Sequence, residues 1–152
     1  RNVFNWMDDE TGNLENKVKT FFSILQVLVF IKNFILFAEK DEELNEFILR
    51  QHQVQAIEKI MERSQDPIKK RGLIWHTRGS GKTYTMIKAA EMLFKAPKHE
   101  KPTILILIDR NELEEQMMKN LHSLGINNVS HAYTIARLNE LLRSDYRGII
   151  VT

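Results

Sequence analysis

The spacing of apolar residues changes along this chain and divides it in two. Between residues 15 and 37 apolar side chains fall on nearly every face, which predicts a core helix buried between layers, followed by a shorter apolar piece over 33–37. The same stretch raises a membrane reading. Ser23, Gln26, Lys32 and Asn33 interrupt it, and it falls short of the ~20 clean apolar residues that a spanning helix needs. It is a poor signal peptide too, because no small-residue cleavage site follows a charged start. Residues 41–46 read as an acidic polar link. Val54, Ile57 and Met61 then recur at helical spacing over 51–63, and Gln65-Asp66-Pro67 ends that helix.

Beyond about Ser64 the pattern alternates. Gly72-Leu73-Ile74-Trp75 predicts a short buried strand. Met86, Ala89, Ala90, Leu93 and Phe94 predict a helix that Pro97 closes, and 103–108 is a continuous apolar strand rich in isoleucine. Asn111 is the expected N-cap of the next helix, with Glu114 three residues on and further acids in its first turn. Leu113, Met117, Leu121 and Leu124 carry that helix to Gly125, a natural stop. A short strand over 128–131, a helix capped by Thr134 and a last strand over 147–152 complete the series. Strands separated by helices with short loops give an α/β fold with a parallel sheet, preceded by a helical lead-in.

One segment carries chemistry. Gly79-Ser80-Gly81-Lys82-Thr83 lies between the predicted strand over 72–75 and the following helix. A glycine-rich turn at that junction exposes backbone N–H groups toward one point, and the helix N-terminus adds partial positive charge. Lys82 would reach the β- and γ-phosphates of a nucleotide, and the Thr83 hydroxyl would ligate Mg²⁺. His76 stands where the general pattern G-x-x-x-x-G-K-[ST] has glycine. The competing reading is an ordinary glycine-rich turn with a surface lysine.

Composition narrows the rest. At 152 residues with 43% hydrophobic positions, the chain can bury a real core. It contains no cysteine, so disulfides and Cys-based zinc sites are excluded, and a cytoplasmic location is compatible. A net charge of +2 is too small to argue for nucleic acid by itself, and Lys69-Lys70-Arg71 reads by default as a solvated loop. The five histidines, His52, His76, His99, His122 and His131, show no metal-ligand spacing. The chain starts at Arg1 and stops inside an apolar β-branched run, so a piece of a longer protein is expected.

Three segments together resemble the motor (R) subunit of type I restriction enzymes, a branch of the superfamily 2 helicase-like translocases. The first is Gly72-Leu73-Ile74-Trp75-His76-Thr77-Arg78-Gly79-Ser80-Gly81-Lys82-Thr83, in which His76 fits the family and Arg78 replaces its usual glutamine. The second is Arg50-Gln51-His52-Gln53-Val54-Gln55-Ala56-Ile57, similar to the family's Arg-x-x-Gln-x-x-Ala-Val. The third is Ile108-Asp109-Arg110-Asn111-Glu112-Leu113-Glu114-Glu115-Gln116, similar to its Asp-Arg-x-x-Leu-x-x-Gln. The resemblance covers about residues 33–152. It implies a partial recA-like domain over 46–152, preceded by a connector over 1–45 that follows a nuclease domain.

It also implies roles. Arg50 and Gln53 would belong to the ATP site, with the Gln53 amide as the adenine reader, a bidentate geometry that amides provide. Gly79, Ser80, Gly81, Lys82 and Thr83 would hold ATP and Mg²⁺, with Lys82 and Thr83 acting in catalysis, and Arg110 would contact a DNA phosphate. Implied partners are double-stranded DNA and the modification and specificity subunits. The Asp-Glu-x-His acids and the second recA-like lobe would lie beyond Thr152, so this segment alone is expected to bind ATP weakly at most and to hydrolyse it negligibly.

Two other classes stay open. An apolar strand ending in Asp109 also has the form of a Walker B segment, which would suit a self-contained small-molecule kinase or nucleotide switch with Asp109 on Mg²⁺. A non-catalytic interaction module with a vestigial loop is the third reading.

Overall fold

The computed structural model describes residues 14–40 and 43–152. They fall into two compact units that divide after Leu36.

In the first unit lie α1 (Leu14–Phe21) and α2 (Ile24–Phe34). The core helix expected ahead of the apolar piece over 33–37 is therefore broken. Ser23 begins the second helix, its carbonyl accepting the N–H of Val27 at 3.0 Å, and serine is a favoured residue at a helix start. Nor is the stretch buried throughout, since Ile24 and Leu25 are 78% and 77% exposed. Its end changes period: in β1 (Ile35–Lys40), Leu36 and Ala38 are buried while Phe37 and Glu39 face outward. Among the described residues, no helix is long and apolar enough to cross a membrane.

The expected acidic link over 41–46 is largely strand. Asp41 and Glu42 lie outside the described residues, as do residues 1–13 of the expected connector. β2 (Glu43–Ile48) follows, and β1 and β2 form a two-stranded sheet. Its inward positions are Asn45 and Phe47, with Leu44 and Ile48 outside, so hydropathy alone did not mark the alternation.

The second unit continues with α3 (Gln51–Ser64), α4 (Lys82–Lys95) and a 3₁₀ turn at Pro97–His99. Then come β3 (Ile104–Ile106), α5 (Asn111–Ser123), β4 (Val129–His131), α6 (Ile135–Arg143) and β5 (Ile149–Val151). The last three strands form a parallel sheet in the order β3-β5-β4. Central β5 is buried on both faces, as its unbroken Ile-Ile-Val requires. Ile149 and Val151 pack with Ile87 and Ala90 of α4 and Met117 and Leu121 of α5. Ile150 points the other way, to Ala132 and to Leu141 of α6. Helices thus cover both faces, and the α/β architecture with a parallel sheet is present.

Two expectations fail in this unit. Residues 72–75 are not a strand, and Leu73 and Trp75 are 84% and 86% exposed. An apolar run becomes a strand only where a neighbour takes its N–H and C=O groups, and among the described residues the sheet holds β3, β5 and β4 alone. Asn111 is the first helical residue rather than the N-cap. The N-cap is Arg110, whose carbonyl accepts the N–H groups of Leu113 and Glu114 at 3.1 and 3.0 Å. Thr134 does cap α6, its side chain accepting from the Arg137 N–H at 3.2 Å, and Gly125 closes α5 at φ +70°.

Candidate functional site

The predicted phosphate turn forms directly before α4. Gly79 and Gly81 take φ values of +74° and +80°, a region that side-chain-bearing residues occupy at a cost. Gly81 is the N-cap of α4, so the first N–H groups of that helix are turned toward the loop with no intrahelical partner. Lys82 folds back over the turn, and its ammonium donates to the carbonyls of His76 and Thr77 at 3.1 and 2.8 Å. A cationic centre is thereby held at the mouth of a loop lined with amides, an arrangement that suits a polyphosphate. Thr83 follows in the first turn, half-buried.

The other wall is the start of α3, which packs on α4. The Gln53 side chain is buried, its Oε1 accepting the Arg50 N–H at 2.9 Å and its Nε2 donating to the Gly81 carbonyl at 2.9 Å. Beside it, His52 Nε2 donates to the Ser80 carbonyl at 3.0 Å. That bond fixes the proton on Nε2, since a carbonyl only accepts. The His52 ring meets His76 edge to face at 5.0 Å and 89°. Phe47 stacks on Tyr84 at 5.1 Å, joining the end of β2 to α4.

Of the predicted site residues, Gln53, Ser80, Gly81 and Lys82 come together through these bonds, with Gly79 and Thr83 adjoining in sequence. Arg50 supplies its backbone, and its side chain is exposed. Both ends of the Gln53 amide are engaged within the protein. Arg110 and Asp109 are exposed in the segment after β3, and among the described residues no hydrogen bond or ion pair joins them to residues 79–83. Among the described residues no three His, Cys, Asp or Glu side chains cluster as a metal site. A groove of about 670 Å³ lined by Lys59, Arg63, Lys70, Leu73 and Ile74 contains none of the phosphate-loop residues.

Sequence reading missed His52, assigned no chemistry because only metal spacing was sought. Its signal was its place beside Gln53 in the first turn of an amphipathic helix. It also missed the hydrogen bond of His131 with Glu114, both largely buried, which joins β4 to α5. Those residues are far apart in sequence, and no pattern pairs them.

Residues 52–152 match the SWI2/SNF2 ATPase family. Over 131 residues the chain is 30% identical to a putative type I restriction enzyme endonuclease subunit of Methanocaldococcus jannaschii, a match covering 82% of this chain and 12% of that protein. It is 28% identical to a type I restriction enzyme endonuclease subunit of Staphylococcus saprophyticus and 26% identical to one of Staphylococcus aureus, each over 99% of this chain and 16% of the relative. The chain therefore spans well under a fifth of the length of these curated relatives. No solved structure matches it. With the phosphate turn, the parallel sheet and all but the first residue of α3 inside the matched span, the chain belongs to the SWI2/SNF2 ATPase family.

Proposed function

We propose that this chain is the ATP-binding part of the motor subunit of a type I restriction endonuclease. In the intact protein, ATP hydrolysis would drive movement along double-stranded DNA, and a separate nuclease domain would cut it. The modification and specificity subunits would be its partners in the cytoplasm. What carries the reading is the loop itself: two glycines at positive φ, unpaired helix-start amides and the Lys82 ammonium converge in one turn. The names of the relatives supply the restriction context.

The residues suited to holding ATP are Gly79, Ser80, Gly81 and Lys82, with Thr83 toward Mg²⁺. Arg50 and Gln53 form the wall beside them, and reading adenine would require the Gln53 amide to exchange one of its present partners. Mg-ATP, when bound, would supply the phosphoryl group and a metal charge that offsets the negative charge on its oxygens. This chain's contribution is positioning: amides orient the phosphates, and Lys82 neutralises part of their charge. Arg110, extended at the start of α5, is proposed to meet a DNA phosphate.

The test is titration of the full-length protein with a fluorescent ATP analogue and Mg²⁺. Lys82→Ala is expected to weaken binding about 10-fold or more, the range for hydrogen bonds to a charged group. Unchanged affinity in that variant would remove the loop from the nucleotide site. Asp109→Ala serves as the control, and a loss of Mg²⁺-dependent affinity there would favour the kinase or switch reading.

A further inference from the structure

Peptide planes link what happens on the two sides of the phosphate loop. In a trans peptide the C=O of one residue and the N–H of the next point in opposite directions, and the described residues contain no cis bond. The Ser80 carbonyl accepts from His52 at 3.0 Å, so the Gly81 N–H of the same plane is aimed away from α3. The Gly81 carbonyl accepts from Gln53 at 2.9 Å, so the Lys82 N–H is aimed away likewise. Two consecutive planes are thus set from behind, by adjacent residues in the first turn of one helix.

The orientation of His52 is itself constrained. Its ring meets the His76 ring edge to face at 5.0 Å, and the His76 carbonyl accepts the Lys82 ammonium. One side chain therefore contacts both limbs of the turn, at 76 and at 80. His76 occupies the place where the general phosphate-loop pattern has a glycine, and its ring is what His52 packs against.

From this we infer that His52 is a positioning residue for nucleotide binding. Its Nε2–H turns the Ser80–Gly81 peptide so that the Gly81 amide faces the polyphosphate, while His76 holds the ring in place. This rests on the loop being the ATP site, as proposed above. His52 touches no phosphate and takes no proton in the reaction; it sets the direction of an amide that does the binding.

The variants separate the hydrogen bond from the ring. His52→Phe keeps an aromatic ring against His76 and removes the donor, whereas His52→Gln keeps an N–H at the same reach and removes the ring. In the full-length protein titrated with the ATP analogue and Mg²⁺, His52→Phe is expected to weaken binding about 3- to 10-fold, the worth of one neutral hydrogen bond. His52→Gln is expected to stay within about 2-fold of wild type with a nucleotide-free melting temperature close to it, whereas the melting temperature of His52→Phe is expected to fall slightly with the lost bond. Wild-type affinity in His52→Phe, or a His52→Gln variant as weak as His52→Phe, overturns the assignment. Failure of the unsubstituted protein to bind the analogue sinks the ATP reading instead, a separate outcome seen in the first titration.

Discussion

The brace at Gly81 allows a quantitative test in which most backbone effects cancel. Gly79 and Gly81 have nearly the same φ, +74° and +80°, but different surroundings. A Cβ on Gly79 meets nothing within 4 Å, whereas one on Gly81 would lie 2.7 Å from Gln53 Nε2 and 3.4 Å from its Cδ. Alanine at either position carries the left-handed penalty of about 1–2 kcal/mol. Each is offset by about 0.4–1 kcal/mol, because alanine narrows the unfolded ensemble. At Gly81 the Gln53 amide must also move, and it is buried and bonded at both ends. Losing its bond to the Gly81 carbonyl adds about 0.5–1.5 kcal/mol.

The expected result is therefore a difference: Gly81→Ala is less stable than Gly79→Ala by about 0.5–1.5 kcal/mol. Urea unfolding measures it, provided the slope is the same in both variants. Combining each with Gln53→Ala completes the argument. Once the amide is gone the two alanines should cost the same, since only backbone strain remains, and the coupling appears as non-additivity between Gly81 and Gln53. A Gly81→Ala variant no less stable than Gly79→Ala refutes the reasoning. So does an excess that persists when Gln53 is absent.

Other consequences concern the scaffold. Burial pushes the Glu91 carboxyl up, but the hydrogen bonds and charges of Lys88 and Lys95 together outweigh it, holding it below the usual carboxylate range. Its stabilising contribution is complete above the ordinary value of ~4.3 and is lost as pH falls through the depressed folded value. Glu91→Gln should thus destabilise at pH 7 by about 1–3 kcal/mol, less than a fully buried pair, and thermal melts should show the gap closing below about pH 4; a constant gap across pH would contradict the ion pair's role. At Gly148 a Cβ would lie 2.6 Å from the Asn128 carbonyl, which already accepts the Ile149 N–H at 2.8 Å and so fixes the β4–β5 register. Gly148→Ala is expected to lose about 1–3 kcal/mol by overpacking, and an unshifted denaturation midpoint would show that the strands can slide apart there. The Ser80 hydroxyl is buried without a hydrogen-bond partner, so Ser80→Ala should be neutral or mildly stabilising in the nucleotide-free protein. A loss above about 1 kcal/mol would reveal a partner for it.

Much of the second unit was legible because its signals are local. Ile149-Ile150-Val151 reads as a doubly buried strand from composition, and Gly79, Gly81 and Gly125 mark turns that demand positive φ. Thr134 declares a helix start through its own side chain. The failures share a cause: they depend on partners that local pattern does not name. Residues 72–75 and 35–40 are both short apolar runs, yet only the second finds a strand beside it. In β2 the inward positions are Asn45 and Phe47, which no hydropathy pattern selects. At the site, the glycines and Lys82 could be read from spacing, but the engagement of Gln53 and His52 with loop carbonyls is a tertiary fact.

That engagement changes how the loop's shape is to be explained. A phosphate turn is usually thought of as strung between the strand that enters it and the helix that leaves it. Here the entering residues 72–75 form no strand, and Leu73 and Trp75 are exposed, so among the described residues no strand pairing holds the turn from that side. The fixed points lie on the other side: Gly81 caps α4, α4 packs on α3, and the first turn of α3 grips the carbonyls of Ser80 and Gly81. Lys82 closes the ring through the carbonyls of His76 and Thr77. Among the described residues the conformation of 79–83 is thus held by the α3–α4 pair. It follows that substitutions in the α3 first turn should alter the loop more than substitutions at Leu73 or Trp75, although the latter are nearer the loop in the classical strand–turn–helix order. In this 152-residue chain Trp75 is exposed, so Trp75→Ala is expected to stay within about 0.5 kcal/mol of wild type, whereas Gln53→Ala should lower stability. The reverse ranking would return control of the loop to the entering segment.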